Sequence, residues 1–150
     1  MPGDANSNGL TYQGYAAAQC AARGGYLANL VDSEIDTMVK NFIADKGLDG
    51  PPCIKKYGFF IGLSDATTEG TYVWSNGNPI CPGSFINWAP GEPNNLTTKD
   101  PNGQDCVQLW YRFGHNGLWD DEYCNFRPKG FICEIPNHCC CSEAPAAQGK

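Results

Sequence analysis

Apolar residues recur at helical spacing between residues 35 and 43. Ile35, Met38, Val39, Phe42 and Ile43 follow the i, i+3, i+4, i+7, i+8 rhythm, which predicts an amphipathic helix with those five side chains on one buried face. Ser33 is placed to cap it, Glu34 and Asp36 complement the positive end of the helix dipole, and Gly47 ends it. Upstream, the alanine-rich run YQGYAAAQCAAR from Tyr12 to Arg23 favours a first helix, stopped by Gly24-Gly25 and followed by a short apolar stretch from Tyr26 to Val31. After Gly47 the rhythm changes. Short aromatic or β-branched runs (KYGFFIGL, TYVW, CVQLWY, GLW, GFICEI) alternate with turn-rich segments and read as strands of an antiparallel sheet. The stretch from Ser75 to Gly103 has almost no periodicity; a loop of that length is functional or disordered, and its Cys81 and Trp88 argue for order. Two helices followed by many short strands predict an α+β fold. The expected layout is a flexible segment over 1–11, one domain over 12–136 and a cysteine-rich tail over 137–150.

Composition narrows the function. A chain of 150 residues fits one domain with a sizeable core, and 18 Gly and 11 Pro fit a loop-rich one. The net charge is −6 and no Lys/Arg cluster exists, which excludes a nucleic-acid partner. No apolar run is long enough to span a bilayer. The nine cysteines (Cys20, Cys53, Cys81, Cys106, Cys124, Cys133, Cys139, Cys140 and Cys141) form no C-x-x-C pair. That scatter fits structural disulfides and an oxidising, extracellular compartment, with the odd count leaving a thiol free or shared between chains. No apolar run follows Met1-Pro2-Gly3-Asp4, so a leader is expected to have been removed.

The candidate chemistry lies in the loops. Asp65, Glu69, Glu92, Asn94, Asn95, Gln104, Asp105, Asp120 and Asp121 all offer oxygen, and no Lys or Arg neighbours Glu92, Asp105, Asp120 or Asp121 in sequence. Any one of these acids could be merely solvated. Together they suit Ca²⁺, which takes about 6–8 oxygen ligands and relieves the repulsion among clustered carboxylates. In Gly91-Glu92-Pro93-Asn94, a cis Glu92–Pro93 bond would turn both flanking side chains to the same side, and a cis bond is expected there.

Several motifs occur in a diagnostic order. Phe60-Ile61-Gly62-Leu63 resembles the W-I-G-L core strand of C-type lectin domains, with Phe for Trp. Tyr72-Val73-Trp74-Ser75-Asn76-Gly77, Asn87-Trp88, Glu92-Pro93-Asn94, Gln104-Asp105-Cys106 (for E-D-C), Trp119-Asp120-Asp121 (for W-N-D) and Phe131-Ile132-Cys133-Glu134 follow in that family's order. The resemblance covers about residues 12–135. It implies disulfides Cys20–Cys133 and Cys106–Cys124. Cys53 and Cys81 then remain inside the domain and are expected to pair, while one of Cys139, Cys140 or Cys141 is expected to link two copies as a homodimer.

The resemblance also implies a site. A sugar-binding Ca²⁺ would be held by Glu92, Asn94, Gln104, Asp120 and Asp121. Gln104 stands where the family has Glu and Asp120 where it has Asn, so the carboxylate count is kept. Hydroxyls on the ion would also bond to acceptor–donor pairs, Glu92 with Asn94 and Asp120 with Gln104. The E-P-N order resembles mannose-type members and implies mannose, glucose, N-acetylglucosamine or fucose. A second, weaker ion maps to Asp65, Glu69, Asn95 and Asp105, with Gln104 beside them. Tyr111, Phe113 or His115 could stack on a sugar or pack under the loop, whereas Trp88 and Trp119 are expected in the core. Asn95-Leu96-Thr97 is a glycosylation sequon, used or unused.

The function expected is therefore a secreted calcium-dependent lectin, not an enzyme, recognising cell-surface glycans in innate recognition. A secreted calcium-binding matrix or biomineral protein of the same fold is the alternative.

Overall fold

The computed structural model describes residues 12–49, 58–126 and 128–136. Cys53, Cys139, Cys140 and Cys141 lie outside that set, and with them both the Cys53–Cys81 pairing and the interchain bridge; Cys81 is exposed and joined to no described cysteine.

Helix α1 spans Gln13–Ala22 and buries Ala16 and Cys20, one turn apart on the same face. Gly24, at φ 79°, closes it: the Gly24 and Gly25 amides donate to the carbonyls of Ala21 and Cys20. Helix α2 spans Ser33–Asp45, and its cap is Asp32 rather than Ser33, with the Asp32 carboxylate accepting from the Ile35 amide at 2.9 Å. The expected apolar face is only partly right. Val39 and Ile43 are buried and Ile35 half-buried, but Met38 and Phe42 are 61% and 53% exposed. The helix is turned toward Asp36, which is 2% exposed and held by polar partners: its carboxylate accepts from the Trp119 indole at 3.0 Å and from Asn87 Nδ2 at 3.0 Å, and pairs with Lys40 at 2.7 Å. A pattern that scores aspartate as polar cannot register that rotation.

Among the described residues seven strands follow or interleave: β1 (Tyr26–Leu27), β2 (Phe59–Ser64), β3 (Val73–Trp74), β4 (Cys106–Trp110), β5 (Leu118–Glu122), β6 (Gly130–Phe131) and β7 (Cys133–Glu134). The main sheet runs β3-β2-β4-β5 with antiparallel neighbours, while β1 and β7 form a two-stranded ribbon. The pairing of β6 with β2 is parallel, a departure from the all-antiparallel expectation. Strand β2 is buried on both faces. Phe59, Ile61 and Leu63 pack with Leu30, Val39, Ile43 and Trp119; Phe60 packs with Ala16, Cys20 and Leu27 under α1. Gly62 is obligatory between them, because a Cβ there would collide with the Leu27 carbonyl, Asn29 Oδ1 and Ser75 Oγ. Trp119 is fully buried, meeting the rings of Trp74, Phe85 and Trp88 edge to face.

Both disulfides implied by the family resemblance are present. Cys20–Cys133 fastens α1 to β7, and Cys106–Cys124 fastens β4 to the chain after β5.

Candidate metal and sugar site

The site is assembled by the β4–β5 hairpin and the long loop beside it. The loop is zipped along β5: the Trp119 amide donates to the Asn87 carbonyl and the Ala89 amide to the Trp119 carbonyl, each at 2.8 Å. This sets Gly91-Glu92-Pro93-Asn94 next to Asp120 and Asp121, and the Glu92–Pro93 bond is cis, as expected from the sequence. The Asp121 carboxylate, fully buried, fixes the loop by accepting from the Asn94 amide at 3.0 Å and the Asn95 amide at 2.7 Å. Asn94 Nδ2 donates to Glu92 Oε2 at 3.1 Å, which sets these two side chains beside each other.

Glu92, Asp120 and Asp121 bring carboxylate oxygens within 4.8 Å of one another. Burial, then the charge of Asp120 and contact with Asp121, push Glu92 up to about 8. Burial pushes Asp120 up to about 6 against the lowering effect of its hydrogen bond from Gln108. One buried oxygen of Glu92, Oε1, receives no hydrogen bond. A divalent cation suits such a group, supplying both the charge and the partner that the protein does not.

Gln104 behaves differently from its expected role. It is 4% exposed, with Oε1 accepting from the Leu96 amide at 3.0 Å and Nε2 donating to Glu122 Oε1 at 3.2 Å. The amide bonded to Asp120 is Gln108, whose Nε2 donates to Asp120 Oδ2 at 2.7 Å. The cause is strand register: Gln108 lies directly opposite Asp120, while Gln104 precedes β4 and turns behind the loop. Glu122 in turn is paired with Lys129 at 3.0 Å, both side chains 2% exposed. Sequence reading missed Gln108, Glu122 and Lys129, since a lone Gln, Glu or Lys in or beside a strand carries no motif.

The second cluster also gathers: Asp65, Glu69 and Asp105 place carboxylate oxygens within 4.8 Å. Asp65 Oδ2 accepts from the Gly70 amide, while its buried Oδ1 has no donor. Burial first, then neighbouring acids led by Asp65, raises both Glu69 and Asp105. Asn95 joins this cluster through its amide: Oδ1 accepts from the Gln104 amide at 2.9 Å, and its nearness to Glu69 favours that group's charged form. The folded loop thus uses internally the amide that the sequon would glycosylate.

Of the expected stacking residues, Tyr111 packs against the core and meets Phe59 edge to face at 5.8 Å. His115 stacks on Trp110 at 4.1 Å, and Phe113 is 75% exposed.

The raised carboxyls make metal-free stability pH-dependent with a definite sign. Glu92 and Asp120 hold protons more tightly folded than unfolded, so their contribution is full below about pH 4, the ordinary carboxyl range. It is lost as pH rises through about 6 and then about 8. In EDTA, Tm should be higher at pH 5 than at pH 8.5. In millimolar Ca²⁺ the order should reverse, because metal competes with protons. A Tm in EDTA that rises over this range would show that the carboxylates are not crowded.

A long loop rich in oxygen ligands, seated on the β4–β5 hairpin of a domain with two helices and antiparallel sheets, defines a C-type lectin fold with an acidic loop site. The lectin C-type domain pattern matches residues 10–135, and the chain belongs to that family. It is 34% identical over 119 residues to a perlucin-like protein of Mytilus galloprovincialis, covering 79% of this chain and 66% of that one. It is 32% identical over 120 residues to lectin BRA-3 of Megabalanus rosa, covering 80% and 61% respectively. The chain thus spans less than two thirds of the length of these relatives. The mouse scavenger receptor C-type lectin carbohydrate-recognition domain shares the fold at a TM-score of 0.65 and 24% identity, over 81% of this chain and 80% of that one.

Proposed function

We propose that this domain is a secreted, calcium-dependent lectin that holds a mannose-type sugar at Glu92, Asn94, Asp120 and Asp121. The observation that carries this reading is the Glu92–Asp120–Asp121 cluster with its buried, undonated Glu92 oxygen. Ca²⁺, when bound, supplies coordination positions for two vicinal hydroxyls of the sugar. The chain's own groups do the rest. Glu92 accepts a hydrogen bond from one hydroxyl, Asn94 donates one through its amide, and Asp120 accepts one on the far side. Asp121 holds the loop so that these groups keep their spacing, and Gln104 supports it from behind through Leu96 and Glu122. Asp65, Glu69, Asn95 and Asp105 form a second, weaker ion site that stiffens the same loop.

One monosaccharide should bind in the millimolar range, about 4 kcal/mol. Linkage of two copies through Cys139, Cys140 or Cys141 would raise avidity for cell-surface glycans. Two intrachain disulfides support an extracellular home, and among the described residues no helix is long and apolar enough to cross a membrane.

The test is a glycan array run in millimolar Ca²⁺ and again in EDTA. Mannose-type glycans should bind only in the first condition, and mannose–agarose should release the protein on chelation. Calcium binding with no glycan recognised would turn the reading toward the matrix-protein alternative, and retention on mannose–agarose in EDTA would rule out the calcium bridge.

A further inference from the structure

The strand face that carries Asp120 continues into a cavity of about 330 Å³ whose lining includes Trp110, Phe113, Asp120, Phe126 and Lys129. Register explains the arrangement. Gln108 opposes Asp120 and Trp110 opposes Leu118, so Gln108, Trp110, Asp120 and Glu122 alternate onto one face of the hairpin. Phe113, in the turn after β4, meets the Trp110 ring edge to face at 6.0 Å, and His115 stacks on the same indole. Phe126 arrives from beyond the Cys106–Cys124 disulfide. Asp120 belongs both to this cavity and to the acidic cluster, so a molecule held at the cluster has the cavity as its immediate neighbour.

Two features mark the cavity as a binding site rather than an incidental hollow. Phe113 and Phe126 are 75% and 47% exposed, so neither ring is spent on the core. The lining also mixes aromatic surface with a few fixed polar groups, at the small end of the roughly 300–1,000 Å³ range of small-molecule sites. Its charges balance: Asp120 and Glu122 stand against Arg112 and Lys129. Aromatic surface suits the C–H face of a pyranose, and balanced charge suits a neutral one.

We propose that this cavity is a second saccharide subsite, taking a neutral pyranose ring joined to the sugar held at Glu92, Asn94, Asp120 and Asp121. It rests on the ion-bridged reading above and adds the ring that follows.

NMR titration in millimolar Ca²⁺ tests it, with methyl α-mannoside, the α-linked mannobioses and a disaccharide whose second ring is a uronic acid. At least one mannobiose should bind about tenfold more tightly than methyl α-mannoside, roughly 1.4 kcal/mol. The acidic disaccharide should show no such gain, and the Trp110 indole N–H should shift only with mannobiose. In Phe113→Ala and Phe126→Ala, both at exposed positions, the mannobiose-to-monosaccharide ratio should fall toward one. Mannoside binding without any mannobiose gain, a gain that survives both substitutions, or a gain confined to the acidic sugar overturns the subsite alone. Failure of methyl α-mannoside to bind at all would end the ion-bridged reading and the subsite with it.

Discussion

Replacing Lys129 with methionine should cost the domain about 3–5 kcal/mol of unfolding free energy, the range for removing one member of a buried ion pair. Lys129 and Glu122 are each 2% exposed, with Nζ 3.0 Å from Oε2. Taking the ammonium away leaves a carboxylate charge with almost no exposed surface of its own. The effect should extend to the loop, because Glu122 Oε1 also accepts from Gln104 Nε2 and from the Tyr123 amide. Gln104 in turn holds the Leu96 amide. Urea unfolding in EDTA at pH 7 measures the cost. The double variant Lys129→Met/Glu122→Gln should recover a good part of it, since the amide keeps an acceptor for Gln104 without a buried charge. A single-variant loss below about 1 kcal/mol, the level of an exposed pair, would show that the pair is solvated.

Asp121→Asn should lower calcium affinity by about 100-fold or more, roughly 2.7 kcal/mol, and abolish retention on mannose. The substitution is nearly isosteric, yet it removes two things at once. The carboxylates in the cluster fall from three to two. An amide also cannot accept from both the Asn94 and Asn95 amides, and its NH₂ would face one of them. Hydrogen bonds to a charged group contribute about 1.5–3 kcal/mol each, so loss of one alone approaches the predicted figure. Glu92→Gln leaves both loop anchors intact and should weaken calcium less. Calorimetric titration of the two variants separates the contributions. Calcium affinity for Asp121→Asn within about threefold of the parent would place the ion elsewhere.

Much of this was legible in the sequence because it depends on local rules. Helical spacing marked both helices, aromatic runs marked the strands, and ordered motifs located Glu92, Asn94, Asp120 and Asp121. What escaped depends on register and on buried polarity. The sequence could not say that Gln108 rather than Gln104 faces Asp120, because that follows from which residue of β4 opposes which of β5. Tyr111 and Trp110 look equivalent as neighbours, but their environments differ: Tyr111 packs on the core while Trp110 lines the cavity. The sequence marks Asp36 only as a first-turn helix acid and gives Lys129 no role, since nothing local shows that a Trp119 indole or a Glu122 carboxylate awaits them. Met38 and Phe42 were misplaced for the same reason, the helix having rolled to bury an acid.

The Cys20–Cys133 bond, lying beside the ribbon in which Tyr26 opposes Glu134, ties the end of α1 to the last strand. A pull applied between the two flanks of the domain therefore travels from α1 through the sulfur–sulfur bond into β7. Everything between Cys20 and Cys133, the ligand loop included, is shielded from that tension by the covalent bond.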